Sequence, residues 1–267
     1  MLSPSACSVR RFGAAILVST LMKWLALSLL SQAAPTSAIA QRVPVLVELF
    51  NSEGCSDCPP ADALLAKLDA TQPISGAQAI VLSEHVTYWN RLGWSDPFSF
   101  DAMSQRQEEY ARKFGLDSNY TPQMVVDGTE QFVGSDGRAL VAAMTKQAKA
   151  PKQSLTIAAA KWDHESALFS VHANAPAGTK LLAVLAADAT HSEVARGENA
   201  GRTLHHTAVV RVMKEYPVNA ADGRELKLSG GVLTQKNEGR GAVRLIVFLA
   251  DSKTGHVLGA AEQTLPR

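Results

Sequence analysis

Apolar and polar positions in the first half of the chain follow patterns typical of alternating strands and helices. Residues 45–50 form an apolar run that predicts a buried strand, and residues 61–68 repeat leucine at helical spacing. A second strand is predicted over 79–83, followed by an aromatic loop over 85–98 and a helix over 100–114 with Arg106 on its exposed side. Two strands over 123–126 and 131–133 are then predicted around a turn at 127–130. A last helix is predicted over 139–148. This alternation predicts a partly parallel sheet covered by helices.

The pattern changes at the polar segment 150–154. Beyond it, short apolar runs are separated by turn residues and show no clear helical periodicity. These runs cover residues 155–161, 167–172, 181–186, 207–213, 226–228, 244–249 and 257–264. Their lengths and spacing favour an antiparallel sandwich or barrel. We therefore predict a domain boundary at residue 150.

The first 40 residues have the pattern of an export signal. Arg10 and Arg11 precede a largely apolar stretch, and Ala38-Ile39-Ala40 supplies the small residues of a cleavage site. Lys23 interrupts the apolar stretch, so we expect no stable membrane span. We predict cleavage after Ala40 and a periplasmic or secreted protein.

Charge and cysteine content narrow the function classes. The whole chain has a formal net charge of +1, and the signal carries basic residues but no acid, so the exported chain is slightly acidic. It contains no run of basic residues, which argues against nucleic acid as a partner. Of the three cysteines, Cys7 lies in the signal and leaves Cys55 and Cys58. A single closely spaced pair does not make a disulfide scaffold, so it needs a local explanation.

The cysteine pair follows a predicted strand and a turn, and it precedes a predicted helix. This arrangement is typical of thioredoxin-like redox proteins. A helix N-terminus stabilises a thiolate, and a gap of two residues lets the second thiol attack a mixed disulfide. We predict Cys55 as the exposed nucleophile and Cys58 as the resolving thiol. Because Pro59 and Pro60 fit only a first helical turn, the helix is expected to begin at Asp57 or Cys58, with the Asp57 side chain as its N-cap.

The element order before residue 150 is β-α-β-α-β-β-α, which is also the order of a thioredoxin-like fold. We therefore predict an α/β thioredoxin-like domain over residues 41–150, followed by a β-rich antiparallel sandwich-like domain over residues 151–267. Two acids near the cysteines, Glu53 and Asp57, oppose thiolate formation, so we expect a reducing or isomerising pair. The expected partners are protein thiols or disulfides of the cell envelope, and no cofactor is expected. If the protein is an enzyme, it is a thiol–disulfide oxidoreductase.

Residues outside the cysteine motif suggest a substrate groove. Thr121-Pro122 lies between a helix and a hairpin, where a cis-proline could present its backbone to a docking peptide. The loop 85–98, with Trp89, is predicted to form the wall of this groove, and a packed loop is the competing interpretation. His85 could act as a base or a ligand. The pair His205-His206 points to opposite faces of a strand, which favours solvated or structural histidines.

Several interpretations of the cysteine pair remain open. A redox-active dithiol is favoured by its position between a strand and a helix. A passive local disulfide is the second, although it would close a very short loop. A Cu(I) site of Cys55, Cys58 and His85 is the third, because thiolates suit that ion. An exported binding module, in which the β-rich half recognises a partner and the thiols are incidental, belongs to a different class.

Blocks along the exported chain resemble a bacterial secreted family numbered 1223 among the domains of unknown function. The blocks are residues 47–62 with their C-x-x-C-P-P core, 85–86, 88–89, 92–94, 96–98, 120–128 and 197–202. The resemblance implies a thioredoxin-like fold, with Cys55 as nucleophile, Cys58 as resolving thiol and Pro122 as the cis-proline. Thioredoxin itself has a tryptophan before its first cysteine, which this chain lacks. The prolines after the second cysteine are a further departure from a general protein disulfide reductase.

Overall fold

The structure of the protein, a computed structural model, describes residues 42–218, 222–230 and 242–265, and strands predominate among them. The predicted export signal, residues 1–40, lies outside the described residues. The strands are β1 (Val43–Asn51), β2 (Ala77–His85), β3 (Gln123–Val126), β4 (Glu130–Val133), β5 (Leu155–Asp163), β6 (Ser166–Ala173), β7 (Thr179–Glu193), β8 (Thr203–Pro217), β9 (Glu225–Ser229), β10 (Val243–Asp251) and β11 (Val257–Leu265). The helices are α1 (Pro59–Thr71), α2 (Asp101–Phe114) and α3 (Gly137–Gln147), with a short 3-10 turn at Asn90–Leu92. Among the described residues, none of the helices has the length and apolar character needed to cross a membrane.

The element order predicted before residue 150 is confirmed. Strand β1 pairs in parallel with β2 and antiparallel with β3, and β3 pairs with β4 as a hairpin. Helix α1 begins with two prolines, which is possible because the first helical residues have no intrahelical acceptor for an N–H group. It ends at Gln72, whose left-handed backbone directs its N–H group to the carbonyl of Leu68.

The predicted fold class is wrong. An α/β thioredoxin-like domain followed by a separate sandwich-like domain would place the strands of each half in its own sheet. In the described residues, strands from both halves instead share one mixed eight-stranded sheet, in the order β11-β10-β7-β8-β2-β1-β3-β4. Strands β5, β6 and β9 form a second sheet. The predicted boundary at residue 150 falls between α3 and β5, and the large sheet includes strands from both sides of it.

One pairing joins the halves of the large sheet. Strand β8 lies beside the free edge of β2, with Ser83 opposite Val209 in parallel register. The apolar runs of β2 and β8 are each consistent with a buried strand, but their periodicity carries no information about which distant strand lies next to them. The fold-class prediction failed because it assumed that the strands of each half pair only with one another.

Apolar side chains pack on both faces of the large sheet. Residues of β7 alternate between two core clusters, with Leu182 and Val184 in one and Leu181 and Leu185 in the other. The first cluster includes side chains of all three helices, and the second includes side chains of the three-stranded sheet. A strand whose successive residues are all buried must be covered on both faces, and residues 181–187 of β7 lie between the two core clusters.

The β3–β4 turn confirms the predicted Asp-Gly hairpin. Asp127 and Gly128 have φ angles of 49° and 63°, the left-handed values that favour this dipeptide in a hairpin turn, here one with three residues between the paired strands. The turn packs against the β10–β11 connection. A Cβ atom at position 128 would lie 2.1 Å from the carbonyl oxygen of Gly255, so any side chain there would clash with backbone. Glycine is thus required at position 128 both by its φ angle and by this approach.

Helix α2 is attached to the sheet by a buried charged group that we call the α2-side cluster: Glu48, Glu84, Arg106 and Tyr110. Arg106 Nε donates to Glu48 Oε1 at 2.6 Å, and the Tyr110 hydroxyl donates to Glu48 Oε2 at 2.6 Å. Arg106 was predicted on the exposed side of the helix, and this prediction is wrong. Its side chain is largely buried because the helix has two carboxylates beneath it on β1 and β2.

Candidate functional site

Cys55 and Cys58 form a disulfide in the turn between β1 and α1, with 5.4 Å between their Cα atoms. Cys58 is the N-cap of α1, and no side chain supplies a capping hydrogen bond. The predicted start of the helix at Asp57 or Cys58 agrees with this N-cap, whereas the prediction that the Asp57 side chain caps the helix is wrong. Asp57 is exposed, and the cysteine backbone with Pro59 and Pro60 makes the first turn.

Both cysteines are buried, with about 1% of each residue exposed to solvent. The prediction of an exposed Cys55 is therefore wrong. The connection between β7 and β8, from the far half of the sequence, contacts the backbone of this turn. Asn199 Nδ2 donates to the carbonyl oxygens of Glu53 and Cys55, at 2.9 Å each, and Glu198 accepts a hydrogen bond from the Ser56 N–H group at 3.0 Å.

A buried carboxylate lies two residues before the disulfide. Glu53 is fully buried, and its Oε2 atom accepts a hydrogen bond from Trp94 Nε1 at 2.8 Å. Its Oε1 atom accepts a hydrogen bond from the Ser192 hydroxyl and lies 3.2 Å from His206 Nε2. A buried carboxylate needs such partners because leaving it unpaired in an apolar interior is costly.

A second carboxylate lies one helical turn beyond the disulfide and meets the same histidine. Asp62 Oδ1 lies 3.4 Å from His206 Nδ1, and it accepts a hydrogen bond from Asn51 Nδ2 at 2.5 Å. Burial by itself lowers the pKa of His206, but Asp62 and Glu53 outweigh this effect and raise the pKa to about 10. The imidazole is therefore a cation at neutral pH, and it lies between the two acidic side chains. We call Glu53, Asp62 and His206 the thiol-side cluster.

His85 packs beside this cluster as part of the buried interior. Its Nδ1 atom lies 2.7 Å from Asp96 Oδ2, and its ring is 4.6 Å from that of His206 between centroids. Asp96 Oδ2 also accepts the Glu53 N–H group at 2.8 Å. Burial opposes ionisation of Asp96, but His85 and the backbone N–H groups of Glu53 and Phe98 lower its pKa. His85 therefore joins the loop 85–98 to the turn that carries the cysteines.

The remaining predicted site residues lie next to the same turn. Trp89 Nε1 donates to Thr121 Oγ1 at 2.8 Å, and the Thr121–Pro122 peptide bond is cis. A Cβ atom at Gly54 would lie 3.2 Å from Trp89 Cβ, so the tryptophan packs against the residue before Cys55. The structure thus brings Trp89, Thr121 and the cysteine turn together. Their roles toward a substrate stay predictions.

Three residues of this site were missed by sequence reasoning: Ser192, Asn199 and His206. The alternation rule gave the correct geometry for His205 and His206, since the first is exposed and the second is buried. The rule could not show that Glu53 and Asp62, which flank the disulfide in the sequence, would lie beside the buried ring of His206. The segment 197–202 did carry a signal, because it is one of the blocks that resemble the family. Nothing in its composition indicated contact with the cysteine turn.

The described residues contain no group of three or more His, Cys, Asp or Glu side chains arranged to hold a metal ion. A solvent cavity of about 500 Å³ lies away from the disulfide, between α2 and strands β7, β8 and β10. Arg106, Lys113 and Lys180 line it together with Glu109 and Glu215, and the cysteines do not. The chemistry of the cysteine turn is therefore separate from this cavity.

Comparisons with known proteins agree with the sequence blocks described above. A family model described as "Protein of unknown function (DUF1223)" matches residues 46–249. A crystal structure of a protein from Agrobacterium tumefaciens is similar, with a TM-score of 0.61 and 22% sequence identity over 85% of this chain and 96% of that one. At this identity the likeness concerns the fold alone. No curated protein matches the chain.

Proposed function

The chain belongs to the family of proteins of unknown function DUF1223, and on that premise we propose that it is an exported protein that exchanges electrons with partner thiols through Cys55 and Cys58. One observation carries the proposal. The disulfide closes a loop of only a few residues, yet it has a buried carboxylate on each side, and one histidine from β8 contacts both. A bridge this short restricts the unfolded chain little, so stability alone does not explain the surrounding charges.

The proposed exchange begins with attack of a partner thiolate on Cys55 Sγ. The bond between the two sulfurs breaks, a bond from the partner sulfur to Cys55 forms, and Cys58 leaves as a thiolate that takes up a proton. A second thiol of the partner then attacks the mixed disulfide and releases Cys55. The partner loses two electrons and two protons, which the cysteine pair gains. The reverse sequence oxidises the pair and reduces a disulfide of the partner, and this is the direction that we propose for substrates.

We further propose that Trp89 and Thr121 contact the substrate chain beside Pro122. Support comes from the hydrogen bond between Trp89 and Thr121 and from the packing of Trp89 on Gly54. An extended peptide that pairs with backbone groups would receive its affinity from the main chain and its specificity from neighbouring side chains. Protein thiols or disulfides of the cell envelope are the proposed partners.

The proposed direction of exchange is reduction or isomerisation. Glu53 lies two residues before Cys55, Asp57 lies between the two cysteines, and negative charge beside a sulfur disfavours the thiolate. We expect a reduction potential closer to about −270 mV, the value of thioredoxin, than to about −120 mV, the value of strong thiol oxidants. Equilibration of the purified protein with glutathione buffers measures this potential. A value above that of the strong oxidants would contradict the proposed direction.

The exchange itself is tested by trapping partners in the native host. With Cys58→Ala, the mixed disulfide at Cys55 has no resolving thiol, so covalent partners should accumulate and appear on a non-reducing gel. Cys55→Ala is the matched control and should trap none of them. If the two variants give the same bands, the exchange proposal fails. A Cys55→Ala/Cys58→Ala protein that still complements a deletion would instead support a binding module with incidental thiols.

A further inference from the structure

The tip of the β7–β8 hairpin, residues 194–202, reaches across the cysteine turn. The tip is closed by hydrogen bonds between the Val194 N–H group and the Arg202 carbonyl, at 2.9 Å, and between the Gly201 N–H group and the Val194 carbonyl, at 2.8 Å. From it, Asn199 inserts a fully buried amide that donates to the Glu53 and Cys55 carbonyls. The tip is therefore part of the cysteine site although it lies far away in sequence.

The hairpin tip covers the site through a few polar contacts. Val194 and Asn199 are its only buried residues, and the others are exposed. Glu198 adds one hydrogen bond from the Ser56 N–H group, and Gly197 approaches Trp94 so closely that a Cβ atom would lie 3.2 Å from Trp94 Cβ. A segment with little apolar burial opens at a lower free energy than the core strands that carry it.

A thiolate attacks one sulfur of a disulfide in line with the bond between the two sulfurs, so a partner must be able to approach from that direction. With about 1% of each cysteine exposed, a folded partner has no such path in the structure described above. We propose that the hairpin tip 194–202 is a lid over the Cys55–Cys58 disulfide, that Asn199 holds it closed, and that a protein thiol reacts only when the lid opens. The purpose of the lid rests on the proposed exchange function. Its existence does not, because access to the disulfide can be measured without any natural partner.

The lid is tested on the purified, oxidised protein with two reductants of different size. One is reduced thioredoxin, and the other is tris(2-carboxyethyl)phosphine, which becomes the phosphine oxide with one water as it reduces the disulfide to two thiols. Asn199→Asp keeps the shape of the side chain but cannot donate to the two carbonyls. We expect the reaction with thioredoxin to become at least about tenfold faster, and the reaction with the phosphine to change less. Arg196→Ala, an exposed position of the same tip, should leave both rates unchanged.

Two results would overturn the lid. One is an Asn199→Asp protein that reacts with both reductants at the wild-type rate. The other is equal acceleration with both, which indicates a loosened disulfide and not a barrier that depends on size. Asn199→Ala repeats the comparison without the added charge.

A measurement on the wild-type chain covers the case in which these variants fold poorly. Amide hydrogen exchange should show that Gly201 and Arg202 open more often than Val184 and Leu185 of β7. Exchange of the tip only through global unfolding would contradict a lid. The partner-trapping experiment stays independent, because it can fail while the lid is present and succeed while it is absent.

Discussion

The two buried charged clusters of this protein differ in how the chain assembles them. The α2-side cluster takes its members from β1, β2 and α2, so it forms within the first half of the chain. The thiol-side cluster combines Glu53 and Asp62 with His206 of β8 and is completed only by the second half. Both pair cations with carboxylates in the interior. Only the second flanks the disulfide, so we expect changes in the first cluster to alter stability alone and changes in the second to alter the properties of the disulfide as well.

The largest expected effect is on stability and comes from the α2-side cluster. Arg106→Met leaves the Glu48 carboxylate buried without its cation, and we expect the free energy of unfolding to fall by about 3–5 kcal/mol. Urea denaturation measures this change. Arg112→Met on the exposed face of the same helix is the control and should change stability by less than about 0.5 kcal/mol. If Arg106→Met and Arg112→Met both lower the free energy of unfolding by a similar small amount, the α2-side cluster does not have the structural role assigned to it.

The next effect is expected in the thiol-side cluster. His206→Gln removes the cation between Glu53 and Asp62, and we expect a loss of about 2–3 kcal/mol near neutral pH. His205→Gln changes the exposed neighbour on the same strand and should have little effect. Unlike the change at Arg106, the change at His206 should also alter the reduction potential of the disulfide. An unchanged reduction potential would indicate that the thiol-side cluster has a structural role only, like the α2-side cluster.

The pH dependence of stability gives a second test of the charge on His206. The pKa of His206 is raised in the folded protein to about 10, so the folded state holds a proton that the unfolded state releases at lower pH. The stabilisation is fully present below the ordinary histidine pKa of about 6.5 and is lost as pH rises toward 10. Wild-type stability should therefore decline between pH 7 and 10, and His206→Gln should show a weaker decline. Parallel curves for the two proteins would contradict the assigned charge.

Removal of the disulfide is expected to have a smaller effect than either buried cation. For a closed loop of this length, the loss of chain restriction corresponds to about 2 kcal/mol. The measurement compares the free energy of unfolding of the oxidised wild-type protein with that of the Cys55→Ala/Cys58→Ala protein. A loss well above that of Arg106→Met would show that the bridge is a main stabilising element, and it would favour a passive disulfide.

The smallest effect is expected at Glu84. Burial, followed by the nearby Glu48, raises its pKa well above the ordinary value, so the folded protein favours the neutral acid. Below about pH 4 the acid is protonated in both the folded and the unfolded protein. There Glu84→Gln exchanges two neutral groups of similar shape, and we expect a change of about 1 kcal/mol or less. Because a raised carboxyl pKa costs stability as pH rises, the variant should become relatively more stable at higher pH. A loss as large as that of Arg106→Met would show that Glu84 is ionised.

The two clusters also show what the sequence could and could not predict. Local rules gave the element order before residue 150, the Asp127-Gly128 turn and the cysteine pair at a helix start, because each depends on neighbouring residues. The same rules misplaced Arg106, since a charged residue on a helix is normally solvated and the two carboxylates beneath it lie on other elements. They also missed His206 and Asn199, whose contacts depend on the long-range pairing of β2 with β8.

The position of β8 beside β2 also has a consequence for the order of events during biosynthesis. The cysteine turn is synthesised early, and the hairpin tip that covers it is synthesised more than a hundred residues later. Pairing between strands so distant in sequence is slow compared with local helix and hairpin formation. In a chain exported as proposed, the two cysteines are therefore accessible to an oxidising compartment before the tip lies over them. We expect the first disulfide of the newly made protein to form in that interval, before the hairpin tip lies over the cysteine turn.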